Sequence, residues 1–204
     1  MNTTVNTLAS PTSINLSISA ARHKMIEQQI RPWSISDLDV LAVLTIIKRE
    51  HFVTEDQINL AFTDIQLPIL DSGEVMLEPK IEARVLQAIK PTGKESVLEI
   101  GTGSGYMAAL LAYFAKQVTS VDINGDLIKF ARENLNKSKT PNVKLEVGDA
   151  AHGWGNDSYD IICVSGGLPA ISDSLKSQLN VGGKLFAFVG QAPVMTAVLI
   201  TRIS

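Results

Sequence analysis

The sequence predicts an α/β protein in which a helical N-terminal extension precedes a doubly wound, mainly parallel β-sheet. Two observations support this class. Between about residues 17 and 90 the apolar residues mostly recur at helical spacing, and after Pro91 short apolar runs alternate with segments of helical length. Strands that alternate with helices are joined by right-handed crossovers, so the strands lie parallel and helices cover both faces of the sheet.

The N-terminal extension is predicted to consist of helices interrupted by one irregular segment. Pro32 ends the first helix because its ring cannot continue the backbone hydrogen bonding, and Ser36 is the expected N-cap of the second. The irregular segment, 67–79, ends at Pro79, which suits the first turn of the last helix. The predicted helices cover residues 19–30, 34–50, 54–62 and 80–90.

The second region is predicted to supply five strands, most of them separated by helices. The predicted strands cover residues 96–101, 117–123, 142–149, 159–166 and 183–190. The predicted helices cover residues 106–116, 125–137 and 171–179. A turn-rich loop over 150–158 takes the place of a helix after the third strand.

These patterns divide the chain into three parts. We expect a flexible leader over 1–16, the helical extension with its irregular loop over 17–90, and the sheet domain over 91–204. The leader has no charged side chain and lacks the basic, then apolar, layout of a signal peptide. We therefore expect a cytoplasmic protein.

Composition argues against several functional classes. The chain has 204 residues, 45% of them hydrophobic and 19% charged, with a net charge of −3. It can bury one substantial core, and it carries no overall attraction for nucleic acid or an anionic membrane, so neither is expected as a partner. Cys163 lies in an apolar run and is expected to be a buried thiol. The three histidines are far apart in sequence and give no metal-binding pattern.

A glycine cluster after the first predicted strand limits the class of cofactor. Gly101, Gly103 and Gly105 alternate, whereas a dinucleotide site requires G-x-G-x-x-G, and here Tyr106 stands where the third glycine would be. The Gly-Lys-Ser/Thr of a P-loop is also missing from the sequence. Alternating glycines let a ligand approach the backbone amides, and the helix N-terminus that follows favours a carboxylate. A tight turn without a ligand is the alternative.

Acidic side chains are predicted to join the glycines at the carboxyl ends of the strands. Asp122 ends the second strand, where it can accept hydrogen bonds from two ribose hydroxyls. Asp149 ends the third strand, and Glu99 lies near the end of the first. Sites for a carboxylate, a ribose and a further polar group in one crevice match S-adenosylmethionine. The alternative for both aspartates is a helix cap or a solvated strand end.

Several segments resemble the protein-L-isoaspartate O-methyltransferase family. Between about residues 22 and 202 they are MIEQQIRPW, IKREHFV, AFTDIQLPI, VLEIGTGSGYMAALLA, NVKLEVGDAAHGW, YDIICVSGGLP and QLNVGGKLFAFVG. The resemblance implies the seven-stranded, Rossmann-like class I methyltransferase fold with S-adenosylmethionine as methyl donor and no metal. It also implies a protein or peptide substrate whose isoaspartyl carboxylate is methylated as a step of protein repair.

The resemblance also implies which residues bind the cofactor. Glu99, Gly101 and Gly103 would line its methionine end, Asp122 would bind the ribose, and Asp149 would lie by the adenine. The family usually has glycine directly after this last aspartate, where this chain has alanine. The full implied set is Glu99, Gly101, Thr102, Gly103, Ser104, Gly105, Asp122, Ile123, Asp149 and Ala150.

The loop before the glycine cluster differs from the family pattern. The family has Gly-Gln-Thr-Ile-Ser, one residue and Pro, and this chain has GEVMLEP. Val75 thus stands at the threonine, Leu77 at the serine and Glu74 at the glutamine. Two hydroxyl donors are lost and a negative charge is added. Because each missing donor costs about 1–3 kcal/mol, we expect activity on isoaspartyl peptides to be low or absent.

No catalytic residue can be assigned from this loop, and three functions stay open. The first is an isoaspartyl methyltransferase. The second is a methyltransferase of the same fold that acts on another acceptor, either a less anionic group or a small carboxylate, through the altered pocket around Val75 and Leu77. The third is a module that binds S-adenosylmethionine without catalysis.

The end of the chain predicts an incomplete sheet. Residues 195–203 alternate and are β-branched like a sixth strand, and no run remains for the seventh strand, which the implied fold places between the fifth and the sixth. The domain is therefore expected to lack its last strand and to leave a gap of unpaired backbone groups. Residues missing beyond Ser204 are the favoured explanation. A neighbouring chain in the gap and direct pairing of the last strand with the fifth are the others.

Overall fold

The computed structural model describes residues 11–204, and their side chains from residue 17. Three α-helices form the N-terminal region: α1 (Pro11–Met25), α2 (Leu38–Ile46) and α3 (Pro79–Ile89). A π-helical turn (Ile26–Ile30), three 3₁₀ helices (Arg31–Trp33, Arg49–His51 and Glu55–Phe62) and a small antiparallel hairpin of β1 (Leu67–Pro68) and β2 (Val75–Met76) connect them. Helix α1 begins within the predicted leader, whose residues 1–10 lie outside the described residues.

Several details of the predicted helices are wrong. The first predicted helix, 19–30, is α-helical only up to Met25 and continues as the π-helical turn Ile26–Ile30. The second, 34–50, is α-helical only over Leu38–Ile46.

Asp37, and not Ser36, caps α2: its carboxylate accepts hydrogen bonds from the backbone N–H groups of Asp39 and Val40, at 3.0 and 3.4 Å. The segment predicted as a helix over 54–62 forms a 3₁₀ helix. Apolar periodicity in a stretch this short does not distinguish the two helix types.

The main sheet contains six strands in the order β5-β4-β3-β6-β7-β8. They are β3 (Ser96–Ile100), β4 (Gln117–Asp122), β5 (Val143–Val147), β6 (Tyr159–Leu168), β7 (Leu179–Gln191) and β8 (Val194–Thr201). The first five run parallel and β8 is antiparallel to β7. The helices between them are α4 (Tyr106–Phe114), α5 (Gly125–Ser138) and α6 (Asp173–Ser177). The doubly wound, mainly parallel architecture is confirmed.

The expected gap at the end of the sheet is wrong for the described residues. Strand β8 pairs directly with β7, from Lys184 opposite Thr201 to Gln191 opposite Val194. Only two residues separate the paired positions Gln191 and Val194. A connection this short returns the chain beside the strand it has just left.

The core lies on both faces of the sheet. Val97 and Cys163 contribute to the larger cluster, which packs against the N-terminal helices, while Leu98 and Ile162 contribute to the cluster on the other face. The prediction of a buried thiol at Cys163 is confirmed, and burial raises its pKa. No helix in the described part of the chain is both long and apolar enough to cross a bilayer.

Strand order reverses between β3 and β6, and this reversal positions the site. From β3 the chain winds outward through β4 to β5, and it then returns to place β6 on the other side of β3. The loops after β3 and β6 therefore diverge and open a crevice at the carboxyl ends of the strands.

Candidate cofactor and acceptor site

A cleft of about 450 Å³ lies at this reversal point. The loops after β3, β4, β5 and β6 form its walls, and the β1–β2 hairpin region covers one side through Ile69, Ser72, Glu74 and Val75. The predicted cofactor residues that line it are Gly101, Gly103, Asp122, Ile123, Asp149 and Ala150. The motif after the first strand and the acidic strand ends are thus brought together.

The glycine loop passes close to the neighbouring strand. Gly101 has a φ of +91°, and a Cβ on this residue would stand 2.8 Å from the backbone nitrogen of Gly166 at the end of β6. Only glycine fits such a position. Gly105 caps α4, and a Cβ there would lie 3.1 Å from the Cβ of Ala131, so this glycine lets α4 and α5 approach each other.

Asp122 joins the glycine loop to the end of β4. Its Oδ2 accepts a hydrogen bond from the N–H of Gly103 and its Oδ1 accepts one from the N–H of Asn124, both at 2.9 Å. The side chain is buried except for its face in the cleft. The carboxylate is therefore held in one orientation, with further acceptor capacity for a ligand.

Asp149 is exposed at the rim of the cleft. Its Oδ1 accepts a hydrogen bond from the N–H of Ala151 at 2.9 Å, which makes a local turn of the kind expected for loop aspartates. Asp149 therefore also fits the alternative interpretation given above, a solvated strand end. The turn uses only Oδ1, and Asp149 is one of the residues that line the cleft.

Glu99 does not line the cleft. Its side chain is 0% exposed, Oε2 accepts a hydrogen bond from Ser120 Oγ at 2.5 Å, and Oε1 accepts one from Ser165 Oγ at 2.9 Å. Burial raises the pKa of Glu99 to about 8. Thr102, Ser104 and Gly105 are also not among the cleft residues. A cofactor role for these four residues stays a prediction.

A second, inner cavity of about 50 Å³ lies beside the cleft and shares Gly101, Gly103, Val75, Ile69 and Ser165 with it. Its other lining residues are Met76, Leu77, Glu82, Thr102, Ser104, Tyr106 and Met107. The two positions that correspond to the family hydroxyls therefore face this region: Val75, 42% exposed, lines both cavities, and Leu77 lines the inner one.

Sequence reasoning missed the buried polar residues beneath this loop. Glu82 lies on the face of α3 that also buries Ala83 and Leu86. A charged residue on an apolar helix face was the available signal. Its neighbours Arg49 and Tyr106 come from distant parts of the sequence, so no local pattern connects them.

The part of the chain that the structure describes contains no candidate metal site. Within residues 11–204, no group of three or more His, Cys, Asp and Glu side chains is arranged to hold an ion.

The family model and the sequence relatives identify the same family. The sequence model of the protein-L-isoaspartate(D-aspartate) O-methyltransferase family matches residues 20–203. A protein-L-isoaspartate O-methyltransferase 1 from Rhodopseudomonas palustris is 40% identical over 85% of this chain and 71% of its own length. The corresponding protein from Syntrophus aciditrophicus is 38% identical over 90% of this chain and 84% of its own length.

Solved structures share the fold. A protein-L-isoaspartate O-methyltransferase superposes with a TM-score of 0.79 at 24% identity, over 89% of this chain. This chain spans 60% of that protein's length. A Plasmodium falciparum protein described as a member of the same class, in complex with S-adenosyl-L-homocysteine, has a TM-score of 0.76 at 18% identity, over 90% of both chains.

Proposed function

Because the chain belongs to the protein-L-isoaspartate O-methyltransferase family, we propose that it transfers a methyl group from S-adenosylmethionine to the carboxylate of isoaspartyl residues in proteins. The observation that carries the proposal is the cleft itself. Gly101 lets the loop after β3 pass close to the backbone of β6, at the point where strand order reverses. Asp122 is held in one orientation at the end of the adjacent strand β4. Ligands of open α/β sheets bind at this point.

The residues present fit the cofactor. A Cβ at Gly101 would fill the narrow passage between the β3 and β6 loops, so this backbone is free to approach a ligand. Asp122 would accept hydrogen bonds from ribose hydroxyls. Ile123 and Ala150, which line the cleft, would give the adenine end an apolar surface. When bound, the cofactor supplies an electrophilic methyl group on a positively charged sulfur.

The main role of this chain's residues is to position the cofactor and the acceptor carboxylate. An acceptor carboxylate is already anionic and needs no general base, so the cleft requires no histidine or lysine for proton removal. Val75 and Leu77 line the acceptor side with apolar surface. Alignment of two reactants in a site of this kind can contribute about 7–11 kcal/mol to lowering the barrier.

A second candidate is a methyltransferase of the same fold with a different acceptor. Glu74 and Val75 line the cleft at positions where the family has glutamine and threonine, and this change favours an acceptor other than an isoaspartyl carboxylate. A module that binds the cofactor without catalysis is the third. A role in protein repair and a cytoplasmic location belong to the first proposal. The buried, unpaired Cys163 supports the location because it suits a reducing compartment.

One assay distinguishes these functions. The protein is incubated with methyl-labelled S-adenosylmethionine and either a peptide with a single isoaspartyl residue, the same peptide with aspartate, or a panel of small carboxylates. Label on the isoaspartyl peptide alone supports the proposal, and label on another carboxylate supports the second function. Calorimetric binding of S-adenosylhomocysteine without transfer to any acceptor would leave the third.

A further inference from the structure

The turn between β1 and β2 is held against the glycine loop. The N–H of Ile69 donates a hydrogen bond to the oxygen of Glu74 at 2.9 Å, and the N–H of Glu74 donates one to Ser72 Oγ at 3.1 Å. Ser72 Oγ in turn donates to the oxygen of Ile69 at 2.6 Å. A Cβ on Gly103 would stand 3.0 Å from Cδ1 of Ile69, so the turn packs on the loop that the cofactor approaches. The backbone of Glu74 is therefore fixed at the wall of the cleft.

Glu74 brings an unpaired carboxylate to this wall. Its side chain is exposed, and with the residues that the structure describes its carboxylate makes neither a hydrogen bond nor a salt bridge. Ser72, the other polar residue of the turn in the cleft lining, already uses its hydroxyl in bonds to the backbone. Both carboxylate oxygens of Glu74 are therefore available to a ligand.

Every charged residue in the cleft lining is acidic. These residues are Glu74, Asp122 and Asp149, and among the described residues the lining contains no lysine, arginine or histidine. Asp122 accepts two backbone hydrogen bonds and Asp149 accepts one, so N–H groups offset part of these two charges. The charge of Glu74 is not offset in this way. An anionic acceptor that enters the cleft is therefore repelled unless its own chain brings a positive charge.

We propose that Glu74 pairs with a lysine or arginine side chain next to the isoaspartyl residue, and so selects peptides in which a basic residue flanks the acceptor. The inference rests on the proposed function, because it assumes an isoaspartyl acceptor. It deepens that function by naming the class of peptide. The pair offsets the negative charge that this chain carries where the family has glutamine.

The position of Glu74 suits such a pair. The next residue, Val75, lines both the cleft and the inner cavity, so Glu74 stands one residue away from the acceptor side. Successive residues of an extended peptide are about 3.3 Å apart and point to opposite faces. A flanking side chain can therefore reach the wall while the isoaspartyl group points into the cleft. Lysine and arginine are long enough to keep their charged ends in water at the rim, where Glu74 is exposed.

Three peptides that differ only beside the isoaspartyl residue test the preference. Both flanking residues are lysine in the first peptide, glutamine in the second and glutamate in the third. In the wild type we expect the lowest KM for the lysine peptide and the highest for the glutamate peptide, about three- to tenfold apart, because exposed charges interact modestly. The difference should shrink as salt is added, since salt screens such charges.

Charge reversal at Glu74 gives the sharper test. Glu74→Gln should bring the three KM values close together, and Glu74→Lys should reverse their order. Both changes are made on an exposed side chain, so Tm should stay unchanged. Glu133→Lys makes the same change in net charge on the exposed side of α5, outside the cleft lining, and is the control that should keep the wild-type order.

The outcomes separate this inference from the function on which it rests. The affinity of the three peptides for the complex with S-adenosylhomocysteine is measured by calorimetry beside turnover. If the wild type methylates none of the peptides, the proposed function fails, and the order of the three dissociation constants still tests the inference. Equal constants for the lysine and glutamate peptides, a wild-type order in Glu74→Lys, or no peptide binding at all would overturn it. A lower Tm in the Glu74 variants, with the same loss of affinity for all three peptides, would show a structural role and overturn it too.

Discussion

At the scale of single residues, Asp122 shows how one side chain can serve both the fold and the ligand. Its two oxygens already accept backbone hydrogen bonds from Gly103 and Asn124. The same carboxylate therefore sets the orientation of the glycine loop before a ligand arrives. A residue fixed in this way loses little freedom on binding, and this lowers the cost of association.

Asp122→Ala should weaken the binding of S-adenosylhomocysteine by about 1–3 kcal/mol, because the ribose hydroxyls lose their acceptor and the N–H of Gly103 loses its own. Calorimetry measures the effect. Asp126→Ala, an exposed aspartate on α5 whose salt bridge is on the surface, is the control and should bind normally. Normal binding by the Asp122 variant would mean that this carboxylate is not the ribose ligand.

Glu99 predicts a pH dependence of stability. Burial raises its pKa to about 8 in the folded protein, from an ordinary value of 4.5. Between these values the folded state holds a proton that the unfolded state has lost, so the free energy of unfolding falls as pH rises, by at most about 1.4 kcal/mol per unit. Above about pH 8 both states are ionised and the contribution is constant.

Glu99→Gln should remove this contribution. Compared with the wild type, the variant should lose less stability between pH 5 and about 8, as measured by urea unfolding at several pH values. The hydroxyls of Ser120 and Ser165 can rotate to bond the amide. A constant difference in unfolding free energy across this range would contradict the raised pKa.

At the scale of elements, the glycine loop depends on the contact between β3 and β6. Gly101→Ala combines a left-handed backbone at φ +91° with a Cβ only 2.8 Å from the nitrogen of Gly166. The strand ends would have to separate. We expect a loss of several kcal/mol in the free energy of unfolding and no measurable binding of S-adenosylhomocysteine.

Gly155→Ala provides the matched comparison for this loop. Gly155 also has a positive φ, +59°, but a Cβ there would meet nothing within 4 Å. This variant should lose only about 1 kcal/mol from backbone strain and should keep its cofactor affinity. Equal losses in thermal unfolding for the two variants would show that strain alone, and not the close approach of the strands, requires glycine at position 101.

The cofactor half of the site was more predictable from sequence than the acceptor half, for a physical reason. Gly101 and Asp122 lie at the ends of adjacent strands, so local patterns place them together once the parallel sheet is recognised. Glu82, Arg49 and Tyr106 meet through contacts between distant segments that no local pattern encodes. The position of Glu99 was predictable, but its hydrogen bonds to Ser120 and Ser165 were not.

At the scale of the whole molecule, the fold class followed from the alternation of strands and helices, whereas the edge of the sheet did not. The implied seven-stranded fold suggested a gap after the fifth parallel strand, β7. The short connection between Gln191 and Val194 instead places β8 against β7. Short-range geometry therefore determines the pairing of this edge in the described chain.

Direct pairing of β7 and β8 can be tested in the 204-residue chain with a cross-strand cysteine pair. Val189 lies opposite Thr196. Directly opposite residues of an antiparallel pair have Cα atoms about 4.5–5.5 Å apart, within the range a disulfide needs, whereas an intervening strand would separate them by about 9.5 Å. Val189→Cys with Thr196→Cys should therefore oxidise readily to an intramolecular disulfide. Val189→Cys with Val194→Cys, displaced by two residues along the same face, should not, and buried Cys163 should stay reduced in both. Free-thiol titration after mild oxidation measures the result, and two free thiols remaining at 189 and 196 would show that β8 is not the neighbour of β7.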